Sequence, residues 1–281
     1  MTHENTRGWA QFDSHCHLDF PEFDADRQQV LDRCRAQGLA GMLIPGIEPA
    51  QWARALQLAR SNAGFCAAAG LHPWWVAAQL DAGYDEQALQ ADIAAIAGER
   101  HLRAIGECGL DAAIDCPLER QIPVFEWHLR IADIYALPLV IHVVRCHADV
   151  LALLKQHRPK CGGVIHAFSG SQEIAQQYCD LGFKLGVGGT ITYERAAKTR
   201  RAVAAVSLES LLLETDAPSM PLSGHQGQRN SPQMLPQVLD ALAQLRQESV
   251  ECIARTTTQN ARDLFGLTGP DWLEWLDRRD T

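Results

Sequence analysis

LRAIGECGLDAAIDCPLERQIPVFEWHLRIADIYALPLVIH, residues 102–142, carries the reading of the fold. Its two ends, Leu102 to Glu107 and Leu137 to His142, are short apolar runs, each finishing on a polar residue. Between them, Glu119 to Tyr135 has helical spacing. A strand, a helix and a second strand, with both strands apolar along their length, predict a parallel pair buried on both faces. Working outward, six further runs of the same kind follow the same rule: Trp9 to His15, Leu39 to Gly46, Phe65 to Leu71, Gly163 to His166, Phe183 to Val187 and Leu211 to Thr215. Helical segments run from Ala25 to Gln37 and from Gln172 to Leu181. Eight such units in 281 residues favour an α/β fold of the (β/α)8 TIM-barrel type. An open doubly wound sheet has the same periodicity, but the nucleotide-binding versions of that sheet need a Gly-x-x-x-x-Gly-Lys or Gly-x-Gly-x-x-Gly loop, and neither occurs. No Gly/Ser-rich linker divides the chain. The expectation is one barrel domain over residues 1–281 with a short helical extension from about residue 268, where Trp272, Trp275 and Leu276 form an apolar i, i+3, i+4 stripe.

Composition narrows the function classes. A hydrophobic content of 47% supports a sizeable core, and a net charge of -9 argues against a module that grips nucleic acid along a broad basic face. It leaves room for a polyanionic substrate, because bound divalent cations can supply local positive charge. The nine cysteines are scattered and contain no Cys-x-x-Cys pair, which predicts free thiols in a reducing compartment. MTHENTRGWA lacks the apolar core of a signal peptide, and no run of eighteen apolar residues occurs. The expectation is a cytoplasmic protein with no membrane span and no obligate protein partner.

The chemistry lies where the strands end. His15 and His17 close the first strand, Glu107 the fourth, His142 the fifth and His166 the sixth, while Asp216 follows the eighth. In a parallel barrel these ends open on one face, where active sites of this fold are built. Side chains two apart on a strand point the same way, so His15 and His17 can reach one ion while Cys16 points elsewhere. Cys108, next to Glu107, is set aside by the same alternation. Singly, each of these groups could be a cap or a satisfied core polar residue. Together they are six buried polar groups that a shared metal centre would satisfy at once.

The matching stretches FDSHCHLDF, GLHP, AIGECGLD, LPLVIHVVRCH, GVIHAFSGS, GFKLGVGGTITY and LLLETDAPSMP run in order from near residue 12 to near residue 232. The chain resembles the TatD-type metal-dependent deoxyribonucleases, a branch of the amidohydrolase-like barrel enzymes. GVGGTITY and SMPLSGHQGQ point to their YjjV-like subgroup. The resemblance implies a distorted (β/α)8 barrel and a metal-dependent hydrolase of nucleic-acid phosphodiesters, often acting from the 3′ end. It implies that His15, His17 and Asp216 hold a first metal, that His142 and His166 hold a second, and that Glu107 bridges both. The cofactors would be two divalent metal ions, drawn from zinc, manganese, iron, nickel or magnesium. Four histidines make magnesium alone a poor match.

Catalysis is expected to rest on Glu107 and on Asp216, the latter accepting or orienting the proton of the attacking water. His72, in GLHP, can contact the substrate phosphate or leaving group, or orient a metal ligand. Gly188 and Gly189 follow the seventh strand and can admit a phosphate to backbone N–H groups, or simply make a tight turn. Arg145 and Arg229 are expected phosphate partners, with surface ion pairs as the competing role. Trp74 and Trp75 can stack on a base or pack a loop. After the fifth-strand histidine the family commonly has serine and then arginine, whereas this chain has Val143 and Val144 before Arg145. That departure, with the acidic charge, points to nucleic-acid ends or a small phosphoester as substrate. The competing functions are an esterase, lactonase or amidase using the same metals, and a catalytically silent metal-binding scaffold.

Overall fold

The computed structural model describes residues 9–267. The extension from about residue 268, with Trp272, Trp275 and Leu276, lies outside the described residues. Eight strands form one sheet in chain order, every neighbouring pair parallel. They are β1 (Gln11–Asp13), β2 (Leu39–Ile44), β3 (Phe65–Ala69), β4 (Leu102–Asp111), β5 (Leu139–Val144), β6 (Gly163–Ile165), β7 (Phe183–Val187) and β8 (Leu211–Leu213). Around them run α1 (Arg27–Ala36), α2 (Pro49–Ser61), α3 (Pro73–Asp81), α4 (Glu86–Ile96), α5 (Leu118–Tyr135), α6 (His147–His157), α7 (Gln172–Asp180), α8 (Ala197–Ala205), α9 (Leu235–Arg246) and α10 (Val250–Leu264). This is the predicted (β/α)8 barrel. Among the described residues, no helix is long and apolar enough to cross a membrane.

The strand alternation sorts side chains into two cores. One lies inside the barrel: Phe12, Leu43, Cys66, Ala68, Ala104, Val140, Val164 and Leu212, plugged by Ala261, Phe265 and Leu267 from the end of α10 and just beyond. The other lies between the outer strand faces and the helices, with Met42, Ile44, Ile105, Leu139, Ile141, Ile165, Leu211 and Leu213 among its members. Small residues at 66, 68 and 104 suit a narrow interior that side chains alone must fill. Two residues further on, within β5 and just past the ends of β6 and β8, the apolar layer gives way to His142, His166 and Glu214. The interior core is thus the floor of a polar mouth.

The first and last strands meet without a strand ladder between them. Their seam is held by Ser14 N–H donating to the Leu213 carbonyl (2.9 Å) and Asp216 N–H donating to that of His15 (2.8 Å). The buried Asp13 carboxylate adds to it, accepting from Thr215 N–H (3.0 Å) and Thr215 Oγ1 (2.6 Å).

Candidate metal centre

β4 departs most from the sequence expectation. It runs on to Asp111, so Glu107 lies within the strand and not at its end. Between Ile105 and Cys108 the register against β5 slips, because Ile105 pairs with Leu139 and Cys108 with Ile141. The extra residue is a bulge, and it resets the alternation. Glu107 therefore turns inward, while Cys108 turns out into the helix-facing core and its Sγ approaches the Val140 carbonyl at 3.6 Å. Gly106 permits the bulge: it sits at φ +140°, and a Cβ there would meet the Val140 carbonyl at 2.5 Å.

β1 also ends earlier than its apolar run, at Asp13, so His15 and His17 lie on the segment beyond it. Their rings nevertheless converge, with the two Nε2 atoms 3.3 Å apart. Cys16 points away, and its Sγ faces the Ala217 carbonyl. β5 continues past His142 to Val144, with Val143 packed outward against the helix-side core.

All six expected ligands come together around Glu107. Its Oε2 is 3.1 Å from His15 Nε2 and 3.5 Å from His17 Nε2. Its Oε1 is 2.8 Å from His166 Nε2 and 3.1 Å from His142 Nδ1. Asp216 Oδ1 stands 3.6 Å from both His15 Nε2 and His17 Nε2. His142 Nδ1 and His166 Nε2 are 3.1 Å apart. A neutral imidazole carries one N–H and one lone pair, so this many nitrogens facing each other and two carboxylates cannot all be paired by protons. A buried set of imidazole and carboxylate donors of this kind fits divalent cations. Three clusters have donor atoms close enough to share an ion: His15, Glu107 and His166; His15, His17 and Asp216; and His72, Glu107 and His142.

His72 is held differently from the rest. It caps α3, its Nδ1 accepting the Trp74 N–H at 3.1 Å, while Nε2 lies 3.1 Å from Glu107 Oε1. With Nδ1 used as an acceptor, the neutral ring carries its proton on Nε2. The side chain therefore presents a donor to the cluster rather than a lone pair.

The charges of the cluster are coupled. Burial pushes His15 down to about 4 and His17 well below the ordinary imidazole range. Burial also opposes a charged His166, but Glu107, Asp216 and Glu214 outweigh it and lift that ring to about 9. Burial works against an ionised Glu107, yet His166, His72 and His15 hold its carboxyl well below the usual range. Asp216 is pushed up to about 7, chiefly by burial.

Asp111 was not picked out from the sequence, although it closes the AIGECGLD stretch. Its Oδ2 lies 3.1 Å from His142 Nε2 and accepts the Trp74 indole N–H at 3.3 Å. Glu214, also not singled out, accepts the Ala167 N–H beside His166. It fills the space that Gly186 leaves, where a Cβ would lie 2.1 Å from Glu214 Oε2.

The expected substrate-binding residues divide. His72 joins the cluster. Arg145 is exposed just beyond β5, at φ +59°, with no ion pair among the described residues. Arg229 is committed elsewhere. It makes a bidentate pair with Asp26 (2.9 and 2.6 Å), donates to the Glu22 carbonyl and lies over the Phe23 ring, so the surface ion pair is its observed role. Gly189 packs against the loop after β8, where a Cβ would meet the Met220 carbonyl at 2.9 Å, and Gly188 abuts the Glu214 side chain. Close packing accounts for Gly189, whereas a Cβ at Gly188 would make only ordinary contacts, the nearest at 3.4 Å.

Comparisons with known proteins give the family and the fold. The model of the family "TatD related DNase" matches residues 12–266. The metal-dependent hydrolase YjjV of Escherichia coli K12 is 41% identical over 258 residues, covering 91% of this chain and 97% of its own. The crystal structure of that TatD homologue superposes with a TM-score of 0.84 at 40% identity, covering 91% of this chain and 98% of the other. The 3′-5′ ssDNA/RNA exonuclease TatD of Pantoea ananatis is 33% identical over 272 residues, covering 91% of this chain and 99% of its own.

Proposed function

This chain belongs to the TatD-related DNase family, and from that premise we propose that it removes nucleotides from the 3′ end of single-stranded nucleic acid with the help of two divalent ions. It is a metal-dependent hydrolase of the nuclease type. The observation that carries the two-ion assignment is the split of Glu107, with Oε2 toward His15 and His17 and Oε1 toward His142 and His166. On this reading His15, His17 and Asp216 hold one ion, His142 and His166 hold the other, and Glu107 serves both. The imidazole-rich set suits zinc, manganese, iron or nickel better than magnesium alone. When bound, such a pair polarises a phosphoryl oxygen and acidifies water.

The residues of the chain supply the rest. Asp216, whose Oδ1 stands 3.6 Å from both His15 Nε2 and His17 Nε2, is placed to accept or orient the proton of the attacking water. His72 directs its Nε2–H at Glu107 Oε1, as the Trp74 bond to Nδ1 dictates, and so orients that carboxylate. Arg145 offers an unpaired guanidinium near the same mouth. With a net charge of -9 the chain favours a short or single-stranded end over a long duplex. The chain acts as a single barrel domain, and its nine free cysteines suit the reducing cytoplasm as its compartment. A second reading, hydrolysis of a small ester or lactone, draws on Val143 and Val144, which put apolar residues where the family commonly has a polar one.

The test is digestion of 3′-labelled single-stranded DNA with manganese, zinc or magnesium, paired with metal analysis of the wild type and Glu107→Ala. The expected outcome is two ions per chain in the wild type and one or none in the variant. The variant should also lose activity by more than the roughly 10–100-fold typical of an outer-sphere partner. Equal metal content in both proteins overturns the site. Esters or lactones turned over orders of magnitude faster than DNA would favour the second reading.

A further inference from the structure

The adjacent tryptophans at the start of α3 have opposite fates. Trp75 is partly buried and packs on Leu71, Val76 and Val124. Trp74 is 61% exposed, the highest value among the exposed large hydrophobic side chains of the described residues. Tryptophan is ordinarily well covered, so a solvent-facing indole needs a reason. Trp9, also exposed, precedes β1 and so lies toward the opposite end of the barrel. Trp74 instead follows β3 on the mouth side.

The Trp74 ring is fixed in place. Its indole N–H donates to Asp111 Oδ2 at 3.3 Å, and Asp111 in turn holds His142. The His72 ring meets it edge-on, with centroids 4.8 Å apart at 75°. His72 Nε2 is 3.1 Å from Glu107 on its other side. An apolar, rigid aromatic plate thus stands one imidazole away from the donor cluster, with a large part of its surface open to solvent. Aromatic plates beside a phosphate-handling site are suited to one kind of group in a nucleotide, the base, which every nucleotide presents as a π-face.

We propose that Trp74 is a base-stacking platform, which receives the nucleobase of the terminal nucleotide while its phosphate faces the cluster around Glu107. The platform selects for the presence of a base and not for its identity, because stacking is tolerant of sequence. This inference rests on the nuclease reading above. It would make Trp74 a specificity-determining residue that separates nucleotides from phosphoesters lacking an aromatic group.

The experiment compares two small probes by calorimetry on the manganese-loaded protein: deoxyadenosine 5′-monophosphate and 2-deoxyribose 5-phosphate. Wild type is expected to bind the nucleotide about tenfold or more tightly than the sugar phosphate, the scale of one base on one aromatic face. Trp74→Leu should bring the ratio toward one. Trp74→Phe, which keeps an aromatic face but loses the N–H bond to Asp111, should keep most of the ratio. A ratio within one protein cancels any general loss of folding or metal. A wild-type ratio near one, no binding of either probe, or a ratio that survives Trp74→Leu overturns the platform. If the ratios behave as expected but no oligonucleotide is digested, the hydrolytic reading fails while the platform stands. If DNA is digested and the ratio is one, the platform fails alone.

Discussion

At the scale of single residues, Asp111 shows what alternation and spacing leave hidden. Burial works against its charge, but bonds from His142, the Ala113 N–H and Trp74 keep its carboxyl below the ordinary range. In the opposite sense His142 is raised: burial disfavours its charged form, and Asp111 and Glu107 more than restore it. An Nε2–H donated to Asp111 leaves the His142 Nδ1 lone pair facing Glu107 and His166, the tautomer a metal ligand requires. Asp111→Asn is therefore expected to weaken binding of the ion assigned to His142 and His166 by roughly 10–100-fold, with little effect on the other ion. Calorimetric titration of the apoprotein with manganese checks this as a change in one of two affinities. The six expected ligands were legible in the sequence because each follows an apolar run. Asp111 follows one too, but β4 runs four residues beyond its expected end, past the bulge at Glu107. A bulge leaves no periodic trace.

At the scale of elements, α5 is the brace of the mouth. Its helical period was plain in the sequence, and it spans 18 residues despite the internal Pro123. Two buried polar side chains on it, seven positions and so nearly two turns apart, reach the end of β4 and the segment after β3. Gln121 grips the end of β4, its Oε1 accepting the Asp111 N–H (2.8 Å) and its Nε2 donating to the Asp111 carbonyl (2.9 Å). His128 donates from Nδ1 to the Val124 carbonyl (2.7 Å) and accepts the Leu71 N–H at Nε2 (2.9 Å), beside His72. Only the neutral ring can make both bonds, and burial pushes His128 down to about 4. In the unfolded chain the same ring titrates at about 6.5. Between these values the unfolded state takes up a proton that the folded state refuses, so stability is full above about 6.5 and falls as the pH drops toward 4. Urea denaturation at pH 7 and pH 4.5 should show wild type losing about 2–3 kcal/mol more than His128→Gln, whose other titrating groups are the same. Equal losses would remove His128 from this role. Nothing in the sequence marked Gln121 or His128, because a polar residue on a helix is by default a solvated one.

At the scale of the whole molecule, the barrel depends on its seam. The segments that follow β1 and β8 carry His15 and His17 on one side and Asp216 on the other, yet few backbone bonds join them. Asp13 ties the two with both carboxylate oxygens, so removing it opens the seam and leaves the Thr215 donors unpaired. Asp13→Ala is expected to lower the free energy of unfolding by about 2–4 kcal/mol, and Thr215→Val by about 1–2 kcal/mol. Denaturant titration gives both values. Because the seam also spaces the ligand-bearing arms, Asp13→Ala should bind manganese more weakly even where it remains folded. By itself the sequence determined the number and order of the strands, the family and the six residues that meet. Each of these is written locally, as an apolar run followed by a polar group or as a motif in a fixed order. Only the tertiary structure decided that Glu107 turns inward through a bulge, that Asp111, Gln121, His128 and Asp13 hold the site, that Arg229 is spent on Asp26, and that Trp74 and not Trp75 faces solvent. Those outcomes depend on which buried polar groups find partners across the barrel, and a partner distant in the chain leaves no mark on local spacing.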